Sequence, residues 1–318
     1  IDGVEIDRAG GRFTVYLIAP VIYLLLAGRG ADVVVDVING IPFFTPLFAA
    51  KPKVAIMHHV HQEMFTIELG PVLGAIGRVV EKVLVPLLYR RVPVICVSRS
   101  TMDAVTSRLW RGDRLDLRLI YNGIDRDFYR PRGSGKYSRP TVLYLGRLKR
   151  YKRLPRLVSL ISEVRRSVPD VRLLVVGGGD AVVDLMDEVR RLNASSYVKL
   201  VGFVSDEEKV DYYERSWVLA TASMVEGWGL TVIEAASCGT PSVAFDVPGL
   251  NESIIDGQTG MLAADDREFA GCLVRILTDA RLRERLSQNA IEWAGEFAWE
   301  KAASETLELL ESVSGEAG

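Results

Sequence analysis

Short apolar runs alternate with longer helical or loop-like segments along most of this chain, and no other feature restricts the fold as much. Ala31 to Val37, Val54 to Met57, Val94 to Val97 and Leu117 to Tyr121 form a first series. Val142 to Leu145, Leu173 to Val176, Val198 to Val201, Val218 to Ala222 and Ser242 to Phe245 form a second. Runs this short and this rich in branched residues read as strands buried on both faces, which calls for parallel sheets covered by crossover helices. Between the series lie N-G-I-D at Asn122 to Asp125, Phe128, Pro131 and R-G-S-G-K-Y-S-R-P ending at Pro140, the composition of a linker. The expectation is two α/β domains, with ligands bound beyond the carboxyl ends of the strands in a cleft between them.

Composition narrows the partners. A chain of 318 residues with 48% hydrophobic and 25% charged residues fits a soluble globular protein of two domains. A net charge of −2 lacks the basic footprint of a dedicated nucleic-acid binder, so no nucleic-acid partner is expected. Cys96, Cys238 and Cys272 stand alone without metal-ligand spacing and read as small buried hydrophobes in a reducing compartment. The apolar run Val15 to Ala27 is too short to cross a bilayer comfortably and contains Pro20, so it reads as a buried helix. The first residues, I-D-G-V-E-I-D-R-A-G-G-R, read as a strand and turn rather than a signal peptide. After Asp265, Phe269, Leu273, Ile276 and Leu277 recur at helical spacing, and F-A-W-E at Phe297 to Glu300 precedes a final amphipathic helix.

The chemistry concentrates in Glu226 to Pro241, E-G-W-G-L-T-V-I-E-A-A-S-C-G-T-P. Gly227 and Gly229 permit a tight turn after the preceding strand, and Leu230 to Ala236 reads as a buried helix stopped by Gly239 and Pro241. Glu226 would stand in the loop before that helix. Glu234 would stand in its first turn or so, on the side of Thr231. The helix start offers open N–H groups and a positive dipole end, which suit a phosphate. Two carboxylates beside an anion site can accept hydrogen bonds from sugar hydroxyls, so the pattern points to a sugar nucleotide. Taken singly, each part has a plainer reading as a turn, a solvated charge or a helix end.

The whole string resembles the signature of the retaining glycosyltransferases of family 4, in which Glu, seven residues and Glu occur in the setting E-G-F-G-L-x-x-x-E-A-x-A-x-G-x-P. Here Trp228 stands for phenylalanine and Ser237 for a small residue. The string G-R-L-x-x-x-K from Gly146 to Lys152 is similar to the family's diphosphate-binding motif. The resemblance implies a GT-B fold: a Rossmann-like acceptor domain over 1–126, incomplete because the strand, glycine-rich loop and helix that open it do not precede Ile1; a Rossmann-like donor domain over 127–296; and a helix over 297–318 that crosses back to the first domain.

It further implies transfer of a sugar, of hexosyl type, from a nucleotide-sugar to the hydroxyl of a small molecule, glycan or lipid-linked acceptor, with retention at the anomeric carbon. Arg147 and Lys152, with the N–H groups near Gly229, Leu230 and Thr231, would hold the donor diphosphate. A guanidinium and an ammonium can neutralise the leaving group, so no metal and no other cofactor is expected. Glu226 would hold the donor sugar and Glu234 the ribose hydroxyls. His58 matches by register a family histidine close to the donor sugar, with His59 and His61 as alternatives. Three histidines at this spacing, without a cysteine partner, are a poor zinc set. Gly177-Gly178-Gly179-Asp180 lacks the full dinucleotide fingerprint, and Phe203 is either near the nucleotide base or a buried aromatic.

Two other readings accompany this one: a fragment that binds nucleotide-sugar without turnover, and a GT-B epimerase or phosphorylase, which fits the Arg147, Lys152 and Glu226 set less well. One segment bears on location. Pro71 to Arg91 is apolar, with Arg78, Lys82, Arg90 and Arg91 interspersed and Glu81 as its single acid. It reads either as a helix at a membrane surface, facing a lipid-linked acceptor, or as a core helix. The expected location is cytoplasmic, with the inner membrane face as the place of any peripheral contact.

Overall fold

The computed structural model describes residues 3–11, 14–28, 30–109 and 116–315. The chain forms two compact units, 1–120 together with 303–318, and 121–302. Strands β1 (Val34–Ile38), β2 (Lys53–Met57), β3 (Val94–Cys96) and β4 (Leu117–Leu119) make a parallel sheet in the order β1-β2-β3-β4. Strands β5 (Thr141–Leu145), β6 (Arg172–Val176), β7 (Val198–Gly202), β8 (Val218–Thr221), β9 (Ser242–Phe245) and β10 (Gly260–Ala263) make a second parallel sheet, ordered β10-β9-β8-β5-β6-β7.

In the second unit every residue of β5, β8 and β9 is buried. Alternate residues serve opposite faces, as the period of a strand requires. Val142, Tyr144, Leu173, Val175, Val218 and Ala220 belong to one core cluster. Leu143, Leu145, Leu174, Val176 and Leu219 belong to another. These strands therefore carry no polar alternation in sequence, because both faces are covered. Among the described residues of the first unit, a core cluster is built around Ile38, Met57, Val94 and Cys96.

The linker is extended but anchored. Buried Glu214 accepts hydrogen bonds through Oε1 from the backbone N–H groups of Arg132, Gly133 and Ser134 at 2.8, 2.6 and 3.0 Å. The helix Trp299–Gly315 begins in the second unit, and its residues from Ala303 onward belong to the first.

Several expectations are corrected. Val15 to Ala27 is helical, as Val15–Ile22 followed by a wider turn over Tyr23–Ala27, but no residue of Val15–Ile22 is buried, and Leu17, Val21, Leu24 and Leu25 are exposed. Apolar composition gave no periodicity from which burial could be told. Residues 3–11 form no strand, while residues 1, 2 and 12, also part of that expectation, lie outside the described residues, as do the last three, 316–318. Strand β10 had no counterpart in the sequence reading. It is short and begins with Gly260, where a Cβ would lie 2.4 Å from the Ser242 carbonyl oxygen.

The turns after β5 and β6 fit together through backbone alone. The Gly146 N–H donates to the Val176 carbonyl at 3.0 Å, the Leu148 N–H to Gly178 at 2.9 Å, and the Ala181 N–H to Leu148 at 3.0 Å. A Cβ on Gly177, whose φ is +125°, would stand 2.0 Å from the Gly146 carbonyl oxygen. Gly177→Ala is therefore expected to lower the unfolding free energy by at least about 2 kcal/mol, through clash and backbone strain together. Denaturant unfolding measures it, and a loss below about 0.5 kcal/mol, the range of an inert surface change, would contradict this packing.

Candidate functional site

The site residues of the second unit leave the carboxyl ends of β5 and β8. After β5 the chain passes Gly146, Arg147 and Leu148 into a short 3-10 turn, Arg150–Lys152, and Arg153 then adopts a left-handed conformation at φ 52° before the helix Leu154–Val164. Such a conformation is costly for a non-glycine residue and gathers at ligand sites. After β8 the chain runs through Ser223 and Glu226 to Gly229, whose φ of +77° starts the helix Leu230–Ser237. The Met224 N–H donates to the Tyr151 carbonyl at 3.0 Å, which ties the two turns together.

Within this frame the Lys152 ammonium donates a hydrogen bond to Glu226 Oε1, and the Ser223 hydroxyl donates to the same oxygen at 2.7 Å. The Lys152 and Glu226 side chains are each only 15% exposed. Ser223 Oγ lies 2.9 Å from Thr221 Oγ1, so the carboxylate ends a short polar chain anchored in β8. The Glu226 backbone is fixed as well: its N–H donates to the Pro248 carbonyl at 3.0 Å, and a Cβ on Gly249 would meet its carbonyl oxygen at 2.2 Å. A partly buried charge pair is kept only where its remaining bonding capacity is used. The ammonium has three donors, so it can hold Glu226 and an incoming anion at once.

Arg147 is exposed, and among the described residues its guanidinium has no ion-pair partner. Its backbone is the anchored part, its carbonyl accepting from the Tyr144 hydroxyl at 2.9 Å. At the start of the helix Leu230–Ser237 the cap is Gly229, so no side chain caps the N–H groups of Leu230 and Thr231. That leaves them available to an anion.

Glu234 is the fifth residue of the helix Leu230–Ser237, three positions after Thr231. It does not share the partners of Glu226. Its Oε2 accepts from the Tyr213 hydroxyl at 2.7 Å, the Tyr129 hydroxyl also bonds it, and burial raises its pKa. The structure thus brings Lys152 and Glu226 together, sets Glu234 in a separate tyrosine pocket and leaves Arg147 open. Ser223, Tyr213 and Tyr129 were missed in the sequence. No local spacing joins the tyrosines to Glu234, but Ser223, three residues before Glu226 at the end of an apolar strand, offered a signal.

Phe203 is 86% exposed, which overturns the buried-aromatic alternative, and its ring lies over Gly178, where a Cβ would come within 2.3 Å. Trp228 is buried among Tyr121 and Phe297, with ring centroids 4.5 and 4.8 Å away, and its indole N–H has no hydrogen-bond partner among the described residues.

In the first unit, His58 follows β2, and its carbonyl accepts from the Thr101 hydroxyl at 2.9 Å. Its pKa is lowered, first by burial and then by the charge of His61. His59 and His61 stack at 3.8 Å, and the His61 backbone N–H donates to Glu81 Oε1 at 2.7 Å. No group of three or more His, Cys, Asp or Glu side chains that could hold a metal ion occurs among the described residues.

Residues 125–293 match the model of the glycosyl transferases group 1 family, more than half of the chain. The chain belongs to that family. It is 28% identical over 244 residues to a glycogen synthase of Mycobacterium tuberculosis, covering 76% of this chain and 59% of that protein. It is 32% identical over 230 residues to a D-inositol 3-phosphate glycosyltransferase of Rhodococcus erythropolis, covering 67% and 52%. The chain thus spans little more than half the length of these curated relatives. Among solved structures it is similar to sucrose-phosphate synthase of Thermosynechococcus elongatus, with a TM-score of 0.81 at 23% identity over 96% of this chain and 80% of that one. It is also similar to Anabaena Alr3699/HepE in complex with UDP and glucose, with a TM-score of 0.74 at 20% identity over 96% and 84%. At such identities the likeness speaks for the fold, and the fold is GT-B, with two Rossmann-like α/β units.

The raised pKa of Glu234 carries a sign. Its folded state holds a proton more tightly than the unfolded chain, whose ordinary value is 4.5. This contribution favours folding below that value and is lost as pH rises through the raised one. Glu234→Gln keeps an acceptor for Tyr213 and removes the charge. The variant should gain thermal stability over wild type as pH rises from about 4 to about 7. A constant difference between the two proteins across that range would contradict the burial of a charged Glu234.

Proposed function

We propose that the protein is a retaining glycosyltransferase that moves a sugar, of hexosyl type, from a nucleotide-sugar to an acceptor hydroxyl. The observation that carries this reading is the Lys152–Glu226 pair, a cation for phosphate and a carboxylate for sugar held against each other beside an uncapped helix start. The names of the curated relatives support sugar transfer, and the Anabaena neighbour was solved with UDP and glucose.

In this reading the donor diphosphate lies against the Lys152 ammonium, the Arg147 guanidinium and the N–H groups of Gly229, Leu230 and Thr231. The bond from the anomeric carbon to the diphosphate oxygen breaks, and the charge that develops on that oxygen meets fixed donors. The acceptor oxygen forms the new bond on the same face, and its proton passes to the departing phosphate oxygen. Glu226 turns its carboxylate toward the sugar hydroxyls while Lys152 takes up phosphate, and Glu234 accepts from the ribose. Two cations serve the leaving group, so the reaction is proposed to need no metal ion. His58 is assigned to the donor sugar on the resemblance alone; its lowered pKa leaves the imidazole neutral near pH 7, able to exchange hydrogen bonds without charge.

Glu226→Ala should leave UDP affinity within a few-fold of wild type but cost about 3 kcal/mol in transfer from a UDP-sugar, a fall of more than a hundredfold. Lys152→Ala should weaken UDP binding itself by about 2 to 4 kcal/mol, since it also leaves Glu226 unpaired beside the phosphates. Calorimetry with UDP and a donor-consumption assay in the presence of EDTA read these quantities. UDP binding by wild type with no transfer to any acceptor class would reduce the protein to a nucleotide-sugar binder, and unchanged transfer in Glu226→Ala would remove its assigned role.

A further inference from the structure

The first unit carries an apolar surface that the reading above does not use. Residues 62–89 begin as a helix that bends sharply at Gly70, where φ is 77° and ψ 178°. The two arms lie against each other. Gln62 Nε2 donates to the Arg78 carbonyl at 3.1 Å, Arg78 donates to the Thr66 hydroxyl at 3.0 Å, and a Cβ on Gly74 or Gly77 would strike Thr66 or the Phe65 ring at 2.7 or 2.6 Å. Glycines at these contacts allow the close approach, so the hairpin is a built feature. From Pro71 the second arm runs through a widened turn at Val80–Leu84 into Val85–Tyr89, about 28 Å of helix at 1.5 Å per residue.

The core-helix alternative for this arm fails, because Val72, Ile76, Val79, Val83 and Leu87, spaced three or four apart, are 53 to 72% exposed. Residues so spaced share one face of a helix. Val85 and Tyr89 face inward and are fully buried, so the helix is seated by one side only. The charges are sorted in the same way. Glu81, the arm's single acid, is fully buried and accepts from the His61 N–H and from Gln62 Nε2, both at 2.7 Å. Arg78 and Lys82 are exposed. Beyond the arm, Arg90 and Arg91 line a groove with Lys51 and Lys53 against one acid, Asp116. No described helix is long and apolar enough to cross a membrane.

We propose that this face is a docking surface for an anionic lipid membrane, on which the arm from Pro71 to Tyr89 lies in the interface plane. An aliphatic stripe flanked by cations, with its one carboxylate withdrawn, matches the acyl boundary and phosphate layer of such a surface. A protein partner with an acidic rim or a second copy of this chain is the competing occupant. The proposal goes beyond the transfer reaction and does not depend on it, although a lipid-linked acceptor would be met on such a surface.

Flotation with vesicles tests it on the protein as it stands. Wild type should float with vesicles of phosphatidylglycerol and phosphatidylcholine at least about tenfold better than with phosphatidylcholine alone, and about 0.5 M salt should release most of it. The triple variant Val72→Glu, Ile76→Glu, Val79→Glu changes only exposed positions and should lose flotation while keeping its unfolding midpoint. Arg78→Glu with Lys82→Glu should lose the anionic preference. Equal binding to both vesicles, absence of flotation, or a wild-type dimer that the triple variant dissociates without any vesicle binding would each overturn the proposal. Affinity for UDP, ADP and GDP measured on the same samples separates the two readings, since flotation without binding of any of them would sink the transferase assignment alone.

Discussion

Two neighbouring parallel strands, β5 and β6, end beside each other, and the turns that follow them occupy nearly the same space. The Gly146–Leu148 turn and the Gly177–Gly179 turn solve this by presenting bare backbone to each other. A side chain on Gly177 or Gly179 would fall 2.0 or 2.3 Å from a carbonyl oxygen of the facing turn. With the side chains absent, the N–H and carbonyl groups pair across the gap, and the chain leaving β5 is fixed where it begins to carry charge. The glycine triplet, too weak a motif to assign a ligand, is thus a packing requirement of the Gly146–Leu148 turn beside it.

The placement of charge follows from that constraint. Lys152 arrives at the end of a strained turn and Glu226 at the end of a loop pinned by Pro248 and Gly249, so neither is free to seek water. Each neutralises the other, with Ser223 filling another lone pair of the carboxylate. Removing ions from water costs several kcal/mol apiece, and a pair retained under that penalty is poor evidence for stability. The proposed donor binding gives the pair a use. A lysine with spare donors and a glutamate beside it are already ordered before a ligand arrives, which cuts the entropic cost of binding. Glu234 is different in kind: its burial disfavours charge, against the Tyr213 hydrogen bond that favours it, and among the described residues no cation is hydrogen-bonded to it as Lys152 is to Glu226.

Much of this was legible in the sequence because it is written in local order. Most of the apolar runs become strands within a residue or two of their expected limits, because both-face burial in the second unit leaves no polar alternation; β1 begins three residues later than its run, at Val34, and leaves Val35 and Val37 exposed. Arg147, Lys152 and Glu226 could be placed at strand ends because each follows its strand directly. What could not be read was contact across distance. Tyr213 reaches Glu234 from another helix, and Glu214 anchors a linker 80 to 82 residues before it. Exposure was equally hidden. Val15 to Ala27 and Pro71 to Arg91 are apolar enough to be core, and only the fold shows that Leu17 and Val72 face outward while Glu81 faces in. An inverted pattern of this sort, acid inside and aliphatic outside, defeats any rule that equates hydrophobicity with burial.

Lys152 and Glu226 interact as one unit at the ends of β5 and β8. A double-mutant cycle of Lys152→Met and Glu226→Gln, read as UDP affinity by calorimetry, tests it most directly. If the two side chains hold each other, losing the lysine should cost markedly less when the carboxylate is already neutral, with a coupling of about 1 to 3 kcal/mol. Effects that add to within about 0.5 kcal/mol would mean that the two residues meet the ligand independently, and would contradict the account.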